Sequence, residues 1–349
     1  MSQENIDPES VAYLGPRASY THEAALNTFP ERRLLSCSSI ENVFIAVQTR
    51  AAAIGVVPFE NSTNGPVVFT LDLFADRDLR FVDIQVCGET FVDVHHCLLG
   101  RARSPSRSLA SLANLSIPSA SGSSTPEPTG SATPTSTTPT PKEPATRPVY
   151  SIEHIQRVYT HPMALGQCRA FLSTYLRQAE QYETTSTSRA AEFVADQLDE
   201  DDTAAAIACE LASQEYGLQI LARNIEDEVG NRTRFLVLRH CMTTLPGPGN
   251  DTAMSTREPT YKTLISFTVS HSSPGALADS LAVFRNHGLN LTSINSRPSR
   301  EAPWHYIFFV EVLGIGYAGR PDQDDMAAAL ADLAAVASGW RWLGSWDLE

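Results

Sequence analysis

The sequence predicts an α/β protein with a separate C-terminal βαββαβ unit, and three observations carry that prediction. Short apolar runs alternate with helix-patterned segments from residue 11 to residue 240. A Ser-, Thr- and Pro-rich stretch over 101–150 interrupts the alternation with almost no aromatic residues. A Gly-, Pro- and Thr-rich linker over 241–260 then leads into six further elements over 261–349.

The elements follow in order. Strand 11–14 precedes helix 22–29, and strand 34–37 with helix 40–47 repeats the unit. A third buried strand, 53–57, leads to helix 67–74. Apolar segments 91–99 and 152–159 flank the 101–150 stretch, which cannot bury enough surface to offset its ordering entropy and reads as a disordered insertion from a surface loop. Beyond it come strand 157–159, helix 162–177, strand 182–184, helix 188–198, strand 204–208, a helix reaching Tyr216 and two closing strands. Such alternation predicts parallel sheets, with ligands at the C-terminal ends of the strands. The last unit reads strand 262–269, helix 274–286, strands 289–295 and 304–312, helix 326–337 and strand 340–346, the ferredoxin-like order.

Composition removes several functional classes. A net charge of −14 over 349 residues argues against nucleic acid and against anionic membranes as partners. An anionic ligand must then be held by placed cations and helix N-termini. The cysteines Cys37, Cys87, Cys97, Cys168, Cys209 and Cys241 form no C-x-x-C pair, which suits reduced thiols inside a cell. No apolar run reaches the ~18 residues of a membrane span, and the polar, acidic N-terminal segment resembles neither a secretory signal nor a basic transit peptide. The expected location is the cytoplasm.

Four strand-to-helix junctions carry hydroxyl or amide groups: 15–22, 60–67, 160–162 and 184–188. Each also reads as ordinary helix capping, with Pro66 and Pro162 near the first helical position. Together they would make a ring of N-termini suited to carboxylates. A fifth segment, Asn231-Arg232-Thr233-Arg234-Phe235, sets a hydroxyl beside a guanidinium at the start of a strand. Alternation sends Thr233 and Arg234 to opposite faces, so both serve one pocket only if the strand begins irregularly. His95-His96 lacks further ligands at metal spacing and reads as a pair in a core strand.

These residues resemble the prephenate dehydratase family. The likeness runs through Gly15-Pro16 to Ala25, Glu60-Asn61-Ser62 with Gly65 and Leu71-Asp72, His161-Pro162 with Gln167-Cys168, Thr185-Ser186-Thr187 with Ala190-Ala191, and Thr233-Arg234-Phe235. The C-terminal unit is similar to the ACT regulatory domain, through Pro274-Gly275-Ala276-Leu277 and Ser296-Arg297-Pro298. The sequence departs from the family at Ala18, where a glycine is usual, at Thr160 and Met163, and at Asn295, where a glutamate is usual. The 101–150 insertion is not part of the family pattern and looks like a eukaryotic, fungal-type elaboration.

The resemblance implies a two-lobed, periplasmic-binding-protein-like catalytic domain over 8–240 and an ACT domain over 261–349. It implies decarboxylating dehydration of prephenate to phenylpyruvate without cofactor or metal. Thr233 is then the donor to the leaving hydroxyl, with Glu60 and His161 as the candidates to supply its proton. Ser19, Asn61, Ser62, Thr185, Ser186, Arg234 and Phe235 would hold the substrate, Arg234 as a bidentate carboxylate clamp. Gly275, Ala276, Leu277, Asn295, Ser296, Arg297 and Pro298 would bind phenylalanine, as a feedback inhibitor, in a homodimer or homotetramer. The alternatives are the same chemistry on arogenate, or a non-catalytic protein that senses an aromatic acid.

Overall fold

The computed structural model describes residues 10–103, 143–197, 202–242, 260–315 and 324–348. Most of the expected insertion (104–142), most of the linker (243–259), the N-terminal residues 1–9 and Leu198 lie outside them. Two compact units emerge: one comprises residues 1–14, 24–91 and 234–349, the other 15–23 and 92–233.

In the first unit, β1 (Ser10–Leu14) leads to α1 (Tyr20–Thr28), which crosses the unit boundary, then β2 (Arg33–Cys37), α2 (Ile40–Gln48), β3 (Ile54–Asn61), β4 (Gly65–Pro66), α3 (Val68–Ala75) and β5 (Ile84–Asp93). β1 pairs in parallel with both β2 and β3. Ser39 starts α2 by accepting from the Asn42 amide at 3.1 Å. The helix buries Val43, Phe44 and Val47. It lies so close to β3 that a Cβ on Gly55 would come within 2.9 Å of Val43 and Val47. Residue 66 falls in the short strand β4, paired with Glu60, rather than in the first turn of a helix. The junction 60–67 is therefore a hairpin, and α3 begins after Val67 with no side-chain cap.

The second unit holds β6 (Cys97–Gly100), β7 (Arg157–Thr160), α4 (Pro162–Gln167), α5 (Arg169–Tyr175), β8 (Glu180–Glu183), α6 (Thr187–Gln197), β9 (Ala204–Ala208), α7 (Glu210–Tyr216) and β10 (Gln219–Ala222). Its sheet runs β10-β6-β9-β7-β8. β7 pairs in parallel with β8 and β9, whereas β6 pairs antiparallel with β9 and β10. The sheet is thus mixed, not parallel throughout. The helix expected over 162–177 is broken at the buried Cys168. The Asp227 carboxylate accepts from the amides of Arg169 and Ala170 at 2.9 and 3.0 Å, so a side chain from far along the sequence caps a second helix there. His95 and His96 sit between β5 and β6, outside any strand. Burial pushes the Cys97 thiol up to about 11 and the Cys209 thiol up to about 12, which keeps both inert.

β11 (Arg232–His240) closes the first unit's larger sheet in the order β2-β1-β3-β11-β5. The C-terminal elements are β12 (Thr260–Thr268), α8 (Ala276–Asn286), β13 (Asn290–Pro298), β14 (Tyr306–Ile315), α9 (Asp324–Val336) and β15 (Gly339–Asp347). Their antiparallel order β13-β14-β12-β15 is the ferredoxin-like one. One core beneath α8 and α9 includes Ile265, Phe267, Phe284, Val310 and Leu333. Leu264, Phe309, Leu343 and Trp346 instead join the core of Phe44, Leu71, Phe81 and Leu236. The C-terminal sheet is therefore buried on both sides within this unit.

That packing depends on Gly344. It follows a register shift in β15, has φ +135°, and brings its backbone against Val86 of β5, where a Cβ would overlap main-chain atoms. Gly344→Ala should destabilise the protein by about 1–3 kcal/mol, read as a lower urea midpoint. An unchanged midpoint would show that the two sheets do not meet at this residue.

Candidate active site

The first unit carries Glu60, Asn61, Ser62, Arg234 and Phe235; the second carries Ser19, His161, Thr185, Ser186 and Thr233. The chain passes from one to the other between Thr233 and Arg234.

In the second unit the expected hydroxyls sit at helix starts. Ser19 precedes α1 and its Oγ accepts from the His22 amide at 3.2 Å. Ser186 accepts from the Arg189 amide at 3.0 Å at the start of α6, and Thr185 beside it is exposed. The loop before α1 is anchored from below. Arg17 O accepts from Ser188 Oγ and from Tyr216 OH, and Ala18 O from Cys209 Sγ at 3.2 Å. Ala18 takes φ 56°, the left-handed region, which accounts for the glycine usual there. The buried His22 holds the loop through Nδ1, which accepts from the Ala18 amide at 2.9 Å.

His161 Nδ1 accepts from the Met163 amide at 3.3 Å, so the ring caps α4. Burial lowers its pKa, with Glu183 opposing. A capping, neutral imidazole is a hydrogen-bond donor through Nε2 rather than a store of protons. A polar network that the sequence did not reveal lies nearby in the same unit. Tyr20 OH donates to His95 O at 2.9 Å and lies 3.1 Å from His96 Nδ1, while His96 Nε2 lies 2.8 Å from Gln167 Oε1. Glu226 binds the His96 amide and His95 Nδ1, both at 2.9 Å. Burial lowers the His96 pKa too.

In the first unit, Asn61 Oδ1 organises the hairpin by accepting from the amides of Thr63 and Asn64 at 3.1 and 3.0 Å. Ser62 is exposed at its tip, and Glu60 is partly exposed. Phe235 is buried in the core of the unit, so its ring supports β11 from within.

Arg234 is buried, with carboxylates around it. Nη1 and Nη2 donate to the two oxygens of Glu311 at 2.7 and 2.8 Å, and Nε donates to Glu89 at 2.7 Å. Nη2 also contacts Glu89, and Nη1 is 4.0 Å from Glu60. The guanidinium lies 5.3 Å from the centre of the Phe59 ring. Lys262 adds a second cation, 3.0 Å from Glu89 and 4.0 Å from Glu311. Glu89 and Glu311 are only 8% and 2% exposed. Burial opposes the charge on Arg234, but the hydrogen bonds and charge of Glu311, then Glu89, outweigh it and hold its pKa above the usual value. The fork expected to clamp a substrate carboxylate is thus filled by Glu311. The signal for that partner was a lone acid inside the apolar run Phe308-Phe309-Val310-Glu311-Val312, since a buried charge needs a counterion.

Of the residues expected to bind an effector, Gly275 (φ 87°) opens α8, Ala276 is buried and Leu277 is partly buried. Asn295 Nδ2 donates to Ser293 Oγ at 3.3 Å, and Ser296 pairs with Phe308 on β14. Arg297 donates to both Asp72 oxygens at 2.9 and 2.8 Å, and Pro298 O accepts from Arg77 at 2.6 and 2.9 Å. Hydrogen bonding to Arg297, then Arg77, lowers the Asp72 pKa against burial. A cavity of about 690 Å³ beside this contact is lined by Ile40, Phe69, Asp72, Arg77, Arg80 and Ser299, and by none of the candidate catalytic residues.

The sequence profile of the prephenate dehydratase family matches residues 11–118 and 143–243. The chain belongs to the prephenate dehydratase family. The ACT domain profile matches residues 263–316. A bifunctional chorismate mutase/prephenate dehydratase of Aquifex aeolicus is 35% identical over 96% of this chain and 73% of its own length. A probable prephenate dehydratase of Saccharomyces cerevisiae is 29% identical over 86% of each chain. The more similar of the two is bacterial. A solved prephenate dehydratase from Arthrobacter aurescens, in complex with L-Phe, superposes with a TM-score of 0.68 at 25% identity, covering 97% of this chain and 89% of that one. Among the described residues, no helix is long and apolar enough to cross a membrane.

His22 offers a test of how this family's first loop is held. Burial and Arg17 lower its pKa from 6.5, with Glu215 opposing. The folded state favours the neutral ring, so its contribution is complete above the unfolded value and is lost as pH falls below it. Asn in its place puts Oδ1 where Nδ1 was and gains no proton. The stability of His22→Asn relative to the native protein should rise from pH 7 to pH 5 in thermal melts. A constant difference would mean that the Ala18 contact does not depend on the neutral ring.

Proposed function

We propose that this chain is a prephenate dehydratase of L-phenylalanine biosynthesis, feedback-inhibited by L-phenylalanine and working in the cytoplasm. The observation that carries the reading is the presence of Thr233, Glu60-Asn61-Ser62, His161 and Ser186 on one chain in the order of a family that matches it over residues 11–118 and 143–243. In the reaction the bond from ring carbon to carboxylate breaks and CO2 leaves. That electron pair completes the aromatic ring as the C–O bond to the hydroxyl breaks, and the departing oxygen takes a proton to leave as water.

Thr233 donates a hydrogen bond to the departing oxygen; its hydroxyl is too weak an acid to give up its proton outright. His161, kept neutral by burial and committed at Nδ1, adds a second donor through Nε2. Glu60 is then the remaining candidate for the proton itself. The hydroxyls of Ser19, Ser62, Thr185 and Ser186, with the amides at the starts of α1 and α6, receive the carboxylates. The ring carboxylate must be held loosely, because stabilising it would oppose its loss. The catalytic domain is assigned to 8–240 and the ACT domain to 261–349, and the assembly is a homodimer or homotetramer. The Arthrobacter relative solved with L-Phe supports the choice of effector.

Incubation with prephenate and, separately, with arogenate should give phenylpyruvate from the first. Turnover of arogenate alone would make the chain an arogenate dehydratase, and turnover of neither would leave the sensor reading. Thr233→Ala should lower kcat by about 10²–10⁴ while binding is largely kept, and Thr233→Ser should restore most of the rate. Sedimentation should give two or four times the 38.0 kDa chain mass; a monomer would contradict the assembly.

A further inference from the structure

We propose that Glu311 of the ACT domain is a positioning residue for the dehydratase reaction: its bidentate pair with Arg234 fixes the start of β11, and with it the neighbouring Thr233, and carries the effector signal to that strand. The inference rests on the function proposed above for Thr233.

Four observations support it. First, the pair is the most constrained contact Arg234 makes. Two parallel hydrogen bonds of 2.7 and 2.8 Å join it to a carboxylate that is 2% exposed. Bidentate pairs of this kind fix orientation as well as distance. Second, Glu89 takes Nε, so little of the guanidinium is left for a substrate carboxylate. Arg234 is therefore suited to hold its own strand. Third, Thr233 is the next residue along that strand, and a displacement of ~1 Å at a reacting group can cost about 10²-fold in rate.

Fourth, Glu311 sits where an effector would be felt. β14 pairs with β13 in a register that sets Ser293 against Glu311 and Asn295 against Phe309. Thr292 Oγ1 donates to Glu311 O at 3.3 Å. Asn295 to Pro298, on the same strand, are the residues assigned to the effector. A shift of β13 is passed to the Glu311 backbone and from its side chain to Arg234. Stability alone does not call for this arrangement, since well-packed apolar residues often replace buried ion pairs without loss.

The test uses the full chain and steady-state formation of phenylpyruvate from prephenate, with and without L-phenylalanine. Glu311→Gln keeps the shape and one acceptor but loses the charge and the fork. It should lower kcat by about tenfold or more, leave KM within about threefold, and raise the L-phenylalanine concentration for half-inhibition by about fivefold, the pattern of a misplaced donor rather than a lost binding group. Near-ultraviolet circular dichroism confirms that the protein counted is folded. If Glu311→Gln does not fold, Arg234→Lys, which keeps the charge and cannot form the fork, should give the same pattern.

A third measurement needs no variant: hydrogen exchange of the native protein should show altered protection over 232–236 when L-phenylalanine is added. A folded variant with native kcat or native inhibition overturns the proposal, as does unaltered exchange in a protein that L-phenylalanine inhibits. Native protein that turns over prephenate but ignores L-phenylalanine overturns it as well. Native protein that does not act on prephenate overturns the proposed function, and this proposal with it.

Discussion

Four charges, with Arg234 and Glu311 buried, join the C-terminal sheet to β11. Arg234 and Lys262 balance Glu89 and Glu311, and the buried pair of Arg234 and Glu311 is tolerable only while both partners stay in place. Removing one carboxylate would leave a cation without compensation, a cost of roughly 3–5 kcal/mol. The constraint reaches outward along the backbone. β11 cannot shift without breaking the fork at Glu311, and β14 cannot shift without pulling on Arg234. The Gly344 contact with Val86 and the core of Leu264, Phe309, Leu343 and Trp346 hold the same two sheets by apolar packing.

A second polar contact works beside the first. Asp72 and Arg77 on and after α3 hold Arg297 and Pro298 of β13. Both links involve residues of the family motifs, one on β11 and one at the segment proposed for the effector. Arg234 and Arg297, two residues that the resemblance gives to ligands, are both held by carboxylates of the protein itself.

Much of the fold was legible because its elements are amphipathic at short range. Apolar runs at β1, β3 and β9 and the helical spacing of α2 placed them within a few residues. What failed was decided over long range. Asp227 breaks a helix some 57 residues before it, and the hairpin that captures Pro66 is built by Asn61. At the site, alternation along β11 set Thr233 and Arg234 on opposite faces as an expectation, and the strand is buried continuously from Arg234 to Leu238. The partners of Arg234 stayed hidden because they lie 145 residues earlier and 77 later. Ser19 and Ser186 were read both as helix caps and as anion ligands, and their capping bonds are compatible with both, since each helix start retains further amides.

A double-mutant cycle on Arg234→Lys and Glu311→Gln, scored by kcat for prephenate, tests the central claim most directly. If the fork sets the position of Thr233, either single change removes it and the second adds little. The two effects should then be non-additive by about 1–3 kcal/mol. Additive losses, within about 0.5 kcal/mol, would contradict the account and reduce the pair to two independent structural contacts.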